Sequence, residues 1–376
     1  MTFILKDLRL ASTLLRGAGF RCLQAPQIAQ PQRPSQPILS YADILAYHGM
    51  ADKATGLPLL HAWSDLFELC QTDVVLLDHA PAALFSAKCC GVKTIGLDTG
   101  FYCPPSQVPF PSFRPWEKAQ PGQLLEREAA CLQVLNGFAT LHDVPCFGSL
   151  ADAIRSDVPL LTSFPELDHY PQRRGGKYVG PAQSFNSGAE VRWRGNRRYK
   201  IFVYLHGIPE VDQALRQLEA LDAEYIVFCP DLSAEQRSAL PREQFHLAEG
   251  PVSIECVLQD CDLVISNGGH GLMSACVLFG VNALVIPLYI EQRLMADCLR
   301  RAGTGSGVLL SRLNIDLVGK IVEILENDAY KDAARDLRQK YHRYDLVATL
   351  ERLANTVTGL RCSDAGLGRP KPTSVA

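Results

Sequence analysis

The residues best suited to chemistry lie in one stretch, Asp262–Gln292, which reads DLVISNGGHGLMSACVLFGVNALVIPLYIEQ. Its pattern predicts a strand at Leu263–Ser266 and a turn holding Gly268, Gly269 and Gly271. A helix to about Gly280 and a second strand at Ala283–Leu288 follow. A Gly-rich turn between strand and helix lets backbone N–H groups approach a ligand closely. It also aims the positive helix end at that ligand, so the turn is built to hold phosphate. Glu291 and Gln292 open the next helix at the mouth of the neighbouring strand. A carboxylate and an amide there can hydrogen-bond sugar hydroxyls. A diphosphate cradle beside a hydroxyl reader implies a nucleotide-sugar site. The plainer alternatives are a turn that only joins strand to helix, and an exposed helix start where an acid is favourable anyway. His270 either meets the diphosphate through its backbone or packs at the cleft.

A second candidate is Asp78, which ends a buried strand predicted at Val74–Asp78. It either caps the helix beginning at Pro81 or assists a base. His79 is adjacent, but neighbouring residues at a strand end point apart, so the two make a poor dyad. His142, His169 and His206 have no chemical context in the sequence beyond the place of His206 at a strand end. The aromatics Phe101, Tyr102, Phe110, Phe113 and Trp116 sit in a Pro-rich loop. They either line an apolar acceptor pocket or pack among themselves.

These residues need elements to position them. The first half alternates predicted strands (Phe3–Leu5, Arg21–Leu23, Val74–Asp78, Thr94–Leu97, Leu160–Thr162) with helices (Leu8–Arg16, Tyr41–Tyr47, Pro58–Cys70, Pro81–Cys90, Gln123–Leu141). The second half does the same from Lys200–Leu205 onward, through Val211–Leu221, Tyr225–Cys229 and Ile254–Asp260. It ends in helices at Asp316–Glu326, Tyr330–Lys340 and Leu346–Leu360. Strands separated by helices mean βαβ units and parallel sheets. The organisation expected is residues 1–165, a linker at 166–198, a second domain at 199–345, and a helix with a disordered tail at 346–376. The fold class is α/β, with two Rossmann-like, doubly wound domains facing a cleft. The basic run Arg192, Arg194, Arg197, Arg198 and Lys200 is either a solvated linker or a patch for an anionic donor or a membrane surface.

Composition sets limits. A chain of 376 residues with 47% hydrophobic and 20% charged residues can bury two cores. A net charge of −3 argues against a general nucleic-acid binder. The 13 cysteines lie mostly in apolar runs, without a CxxC framework or secretory leader, so reduced thiols in the cytoplasm are expected. The Cys/His set lacks zinc spacing, so no metal is expected, and no cofactor beyond the substrate nucleotide. No apolar run approaches ~20 residues, so no span of a membrane is expected.

Asn267–Gln292 resembles the donor-binding signature of inverting GT-B glycosyltransferases related to UDP-glucuronosyltransferases, plant secondary-product glycosyltransferases and bacterial macrolide glycosyltransferases. GGHG, the FGVNALVIPL run and EQ match in order and spacing, with Asn282 in place of the usual Pro. VVLLDHAPAAL and AKCCGVKTIGLDTG resemble the N-domain stretch of the same family. The resemblance implies transfer of a hexose from a UDP- or dTDP-sugar, with inversion, to a small apolar or lipid-like acceptor. It would place Asn267, Gly268, Gly269, His270 and Gly271 on the diphosphate, and Glu291 and Gln292 on the donor sugar. Asp78 would orient a catalytic His. Three departures bear on donor binding: Asn267 stands for a His, Leu272 for a Thr or Ser, and Ala275 for the ribose-binding Glu of plant members.

A fourth departure is larger. The family opens with a strand, a turn carrying the catalytic His, and a helix. Here Met1 leads directly into TFILKDLRLASTLLRGAGF, which resembles the second strand and helix. In-frame DNA upstream is therefore expected to encode roughly 20–30 further residues, the size of the absent half of a βαβ unit. The alternative is a truncated or non-catalytic sugar-nucleotide-binding paralogue. A nucleotide-sugar 2-epimerase is a further alternative, but it would need several carboxylates in the cleft.

Overall fold

The computed structural model describes residues 1–9, 11–28, 37–117, 120–209, 211–309 and 316–363. Part of the Pro/Gln-rich loop after Pro26 and the tail beyond Ser363 lie outside these residues, as does Leu10 within the helix expected at Leu8–Arg16. Among the described residues of that helix a single wide π-turn, Ser12–Arg16, forms, between β1 (Thr2–Leu5) and β2 (Arg21–Gln24).

β1 and β2 pair in parallel, Thr2 opposite Arg21 through Leu5 opposite Gln24. The remaining strands of this half, β3 (Val74–Asp78), β4 (Lys93–Asp98) and β5 (Val158–Leu161), form a separate parallel sheet in the order β3-β4-β5. The single sheet expected here is thus two. Among the described residues no ladder joins β1 to β3, because no strand lies between them. β3 therefore has one unpaired edge, and its Leu76 is 50% exposed.

Helices cover the three-stranded sheet. Lys53–Leu69 starts five residues before the predicted Pro58. Asp52 explains this, because its carboxylate caps the helix by accepting from the N–H groups of Ala54 and Thr55. Leu60, Trp63 and Phe67 of that helix join Phe85, Leu135 and Phe138 in one core. On the other side, Leu353 of the C-terminal helix Leu346–Ser363 packs against Ile95 and Leu160. The chain's last described helix therefore closes back over its first half.

The second half is a six-stranded parallel sheet in the order β11-β10-β9-β6-β7-β8. Its strands are β6 (Tyr199–Tyr204), β7 (Ala223–Phe228), β8 (Phe245–Leu247), β9 (Leu263–Ser266), β10 (Asn282–Val285) and β11 (Gly305–Gly307). β8 and β11 escaped the sequence reading: at three residues each they are too short for periodicity to register. β9 and β10 are buried throughout, as strands covered on both faces must be. The order reverses between β6 and β9, and such a switch point opens a crevice at the carboxyl ends of the strands.

The segment expected to be a linker is anchored to both halves. Tyr178 bridges to Leu161, extending the first sheet, and Ala189 bridges to Val252 in the second half. Leu167, Asp168, His169, Tyr170 and Val191 are buried. Loss of periodicity signals irregular backbone and says nothing about exposure. Apolar and paired ionic groups bury such a segment whatever its period.

Candidate functional site

A cavity of about 250 Å³ sits at the switch point, lined by Tyr204 and His206 beyond β6, by Ser266–Leu272 beyond β9 (Gly268 excepted), and by Gln292. The helix His270–Phe279 starts there, and its cap residue, Gly269, has no side chain to satisfy the first turn. Met273 N–H bonds back to the Gly269 carbonyl at 3.2 Å. The N–H groups of His270, Gly271 and Leu272 precede that first bond. Helix geometry leaves them without intrahelical partners, and they open on the cavity. Together with the helix dipole they form an anion site.

The structure divides the predicted diphosphate residues into two groups. Gly269, His270 and Gly271 line the cavity. Gly268 does not: its N–H donates to Ser266 Oγ at 3.1 Å, so it is spent inside the turn. Gly268 is required by conformation, with φ +85°, and by packing, since a Cβ would lie 2.6 Å from Val285 Cγ1. Asn267 also serves the scaffold. Its Oδ1 accepts from His206 N–H at 2.9 Å and its Nδ2 donates to the Ile286 carbonyl at 3.1 Å. The amide ties the ends of β6, β9 and β10 together, while one Nδ2 hydrogen stays outside these two bonds and the residue lines the cavity.

His270 faces across the cleft. Its Nε2 lies 2.8 Å from Ser163 Oγ in the first half, and burial pulls its ring down to about 4. It is therefore neutral near pH 7, and the positive field comes from the helix start, not from this side chain. Leu272 and Ala275 point into the core of the second half and are 9% and 0% exposed.

Gln292 lines the cavity and braces it as well: its Oε1 accepts from Leu288 N–H at 2.7 Å and Tyr289 N–H at 3.3 Å. Its Nε2 has no protein partner among the described residues. Glu291 turns toward the first half, where its charge acts on the Tyr102 phenol, and burial raises its own carboxyl. The helix carrying both, Ile290–Ala302, docks on the first half. Leu294 joins the first core, Arg293 stacks 3.5 Å from the Trp116 ring, and Arg301 donates to the Asp168 carbonyl at 3.0 Å.

A larger cavity, about 900 Å³, lies in the first half at the carboxyl ends of β3 and β4. Its walls include Leu77, His79, Pro81, Asp98, Tyr102 and Phe110. Of the five loop aromatics, Phe101, Phe110 and Phe113 are buried in the core, while Tyr102 and Phe110 reach the cavity. Both alternatives for that loop are thus realised, by different residues. His79 has a left-handed backbone, φ 39°, and its ring stacks on Tyr102 at 3.6 Å. Burial drives its pKa down to about 3, and its buried Nε2 has no hydrogen-bond partner among the described residues.

Asp78 ends β3, is exposed and does not line the cavity. Two carboxylates do: Asp157, which precedes β5, and Asp98, which ends β4 and accepts from Gly100 N–H at 2.6 Å. Burial pushes its carboxyl up to about 7, and the Asp78 charge adds to the rise. The N–H groups of Gly100 and Tyr102, and the Arg173 charge, act in the opposite direction. The sequence reading passed over Asp98. Its signal was available, because it directly follows the predicted strand Thr94–Leu97, but only the fold shows that it, and not Asp78, faces a cavity.

Comparison with known proteins agrees with this geometry. Residues 212–343 match the erythromycin biosynthesis protein CIII-like, C-terminal domain. A UDP-sugar-dependent glycosyltransferase 52 from Dictyostelium discoideum is 25% identical over 118 residues, which is 31% of this chain and 7% of that protein. Solved structures superpose over nearly the whole chain. The glycotransferase of kitacinnamycin gives a TM-score of 0.66 at 16% identity, covering 96% of this chain and 90% of its own. The spinosyn rhamnosyltransferase SpnG with spinosyn aglycone gives 0.64 at 19%, covering 92% and 90%. The glycosyltransferase VinC with dTDP gives 0.63 at 15%, covering 92% and 89%. The chain has the GT-B fold that these solved glycosyltransferases share. Its two cavities fall on the two sides of the GT-B cleft, one at the switch point of the second sheet and one at the strand ends of the first.

Three residues of the basic run meet carboxylates. Arg197 pairs with Asp222 at 3.5 Å, Arg198 with Glu326 at 3.3 Å and Lys200 with Asp260 at 3.8 Å. Arg194 donates to the Arg242 carbonyl at 2.8 Å. These pairs favour the solvated surface over an anion-collecting patch. Among the described residues no helix is long and apolar enough to cross a membrane.

Proposed function

We propose that this protein transfers a hexose from a dTDP- or UDP-sugar to a hydroxyl of a small, largely apolar acceptor, with inversion at the anomeric carbon. The diphosphate lies on the N–H groups of His270, Gly271 and Leu272, and the sugar meets Glu291 and the Gln292 amide. The acceptor fills the 900 Å³ cavity, whose size and mixed apolar and polar walls suit a drug-sized molecule. Its oxygen attacks the anomeric carbon from the face opposite the diphosphate. The carbon–oxygen bond to phosphate breaks, and the diphosphate leaves with the electron pair toward the helix start. Preorganised N–H groups stabilise that developing charge without reorganising, which is commonly among the largest contributions to catalysis. No metal is required by this scheme.

The observation that carries the reading is the uncapped helix start at the switch point of the second sheet, on a helix whose His270 meets the first half through Ser163. The named neighbours that hold dTDP or an aglycone support the same two ligand classes. The walls of the switch-point cavity include no carboxylate, which disfavours the epimerase alternative. Calorimetry with dTDP, UDP, ADP and GDP tests donor binding, and mass spectrometry of mixtures with phenolic and polyketide alcohols tests transfer. Binding of dTDP or UDP in preference to ADP and GDP, with a hexosylated product, is expected. Folded protein that binds none of the four at millimolar concentration refutes the reading.

A further inference from the structure

The transfer just proposed needs a group to take the acceptor proton, and the wall of the larger cavity narrows the choice. His79 lines it, but burial holds the ring near 3, far too weak a base to accept a proton near pH 7. Cys103 and Tyr102 are pushed the other way, to about 11 and about 12, so both keep their protons. Tyr41 is buried and shifted well above its usual value. Asp157 precedes β5 and accepts from the N–H and the Oγ1 of Thr94, each at 2.8 Å, near the start of β4, so it sits at the amino end of the sheet, the end opposite Asp98. The remaining titratable groups on the wall are cations.

We propose, resting on the glycosyl-transfer reading, that Asp98 is the general base that deprotonates the acceptor hydroxyl. Its placement carries this. Asp98 ends β4 on the wall of the cavity, at the carboxyl end of the sheet, held by the Gly100 N–H at 2.6 Å. The Tyr102 phenol, in the same wall, feels both the Asp98 and the Glu291 charge, so the fields of the two carboxylates reach the same stretch of wall. A hydroxyl held in the cavity passes its proton to the Asp98 carboxylate. Its oxygen forms the new bond to the anomeric carbon, and the diphosphate departs with the electrons of the old one.

The charge environment is compatible with this task. The groups acting on Asp98 are Arg173 from the connecting segment, Asp78 from β3 and backbone N–H groups from its own loop. Tyr41, Tyr102, Cys103 and Tyr170 feel its charge in turn. A carboxyl near 7 is ionised enough to act and basic enough to take a proton, the compromise that general base catalysis favours.

The test compares the full chain with Asp98→Asn and Asp98→Glu, measuring sugar transfer and donor hydrolysis across pH and dTDP affinity by calorimetry. In the unchanged chain kcat should rise with pH through about 7. Asp98→Asn should lower kcat about 100-fold or more, erase that rise and leave dTDP affinity unchanged. Asp98→Glu should restore part of the rate with a displaced pH limb. Intact dTDP binding also shows that each variant is folded. If Asp98→Asn keeps the rate and the pH limb, the base assignment is wrong while glycosyl transfer stands. If the unchanged chain binds dTDP but neither transfers nor hydrolyses, the base assignment falls and donor binding stands. If it binds no nucleotide, the functional reading itself fails and takes the base with it.

Discussion

Asp168→Asn is the substitution that most directly tests how the two halves and the acceptor cavity are held. The Asp168 and Arg173 side chains are 4% and 7% exposed and meet at 2.5 Å. The carboxylate also accepts from Tyr170 N–H at 2.9 Å and from the Tyr178 hydroxyl. Arg173 in turn donates to the Gly100 carbonyl at 3.1 Å and the Cys103 carbonyl at 2.7 Å, pinning the loop that follows Asp98. Asn preserves the shape and one acceptor oxygen but removes the charge. The guanidinium then stays buried without a counter-ion, and breaking such a pair from one side costs about 3–5 kcal/mol. Urea titration followed by circular dichroism should show a loss of that size. The double variant Asp168→Asn with Arg173→Met removes the stranded charge and should recover about 1–3 kcal/mol of it. A solvated connector would lose at most about 0.5 kcal/mol. A loss below about 1 kcal/mol for the single variant, or no recovery in the double, would refute the argument.

Other expectations follow from single contacts. Gly268→Ala should destabilise the chain by about 1–3 kcal/mol in thermal unfolding, because it combines φ +85° with a Cβ 2.6 Å from Val285. Gln292→Glu keeps an oxygen for the Leu288 and Tyr289 N–H groups but loses the free Nε2 donor. Affinity for the sugar nucleotide should drop by about 1–3 kcal/mol while dTDP alone binds as before; equal losses for both would remove Gln292 from the sugar. His169 is buried with neither ring nitrogen bonded among the described residues, and burial, with His270, Arg301 and Arg173 nearby, lowers it from 6.5 to about 3. The unfolded chain therefore binds a proton that the folded chain refuses between those values. The stability linked to neutral His169 is present above about 6.5 and lost as pH falls toward 3, by at most about 1.4 kcal/mol per pH unit. His169→Phe should flatten the acid side of a stability–pH curve measured by denaturant titration, and an unchanged slope would count against this account.

The sequence by itself determined the local elements and the Gly-rich turn. Leu263–Ser266 and the glycines after it could be read because each rests on short-range physics: a buried apolar strand, a glycine-only φ, an uncapped helix start. Glu291 and Gln292 were found the same way, from their place at the mouth of the next strand. Tertiary structure decided what periodicity cannot encode. It showed that Asn267, on the cavity wall, also braces three strand ends, because hydrogen bonds to His206 and Ile286 connect positions distant in the chain. It split the first half into two sheets, since strand pairing depends on which edges meet, not on the strands themselves. It also turned Asp98 inward and left Asp78 in solvent, although Asp78 ends a predicted strand and Asp98 directly follows one. A strand tells its neighbours in sequence which face they share; only the packed fold determines which of those faces borders a cavity.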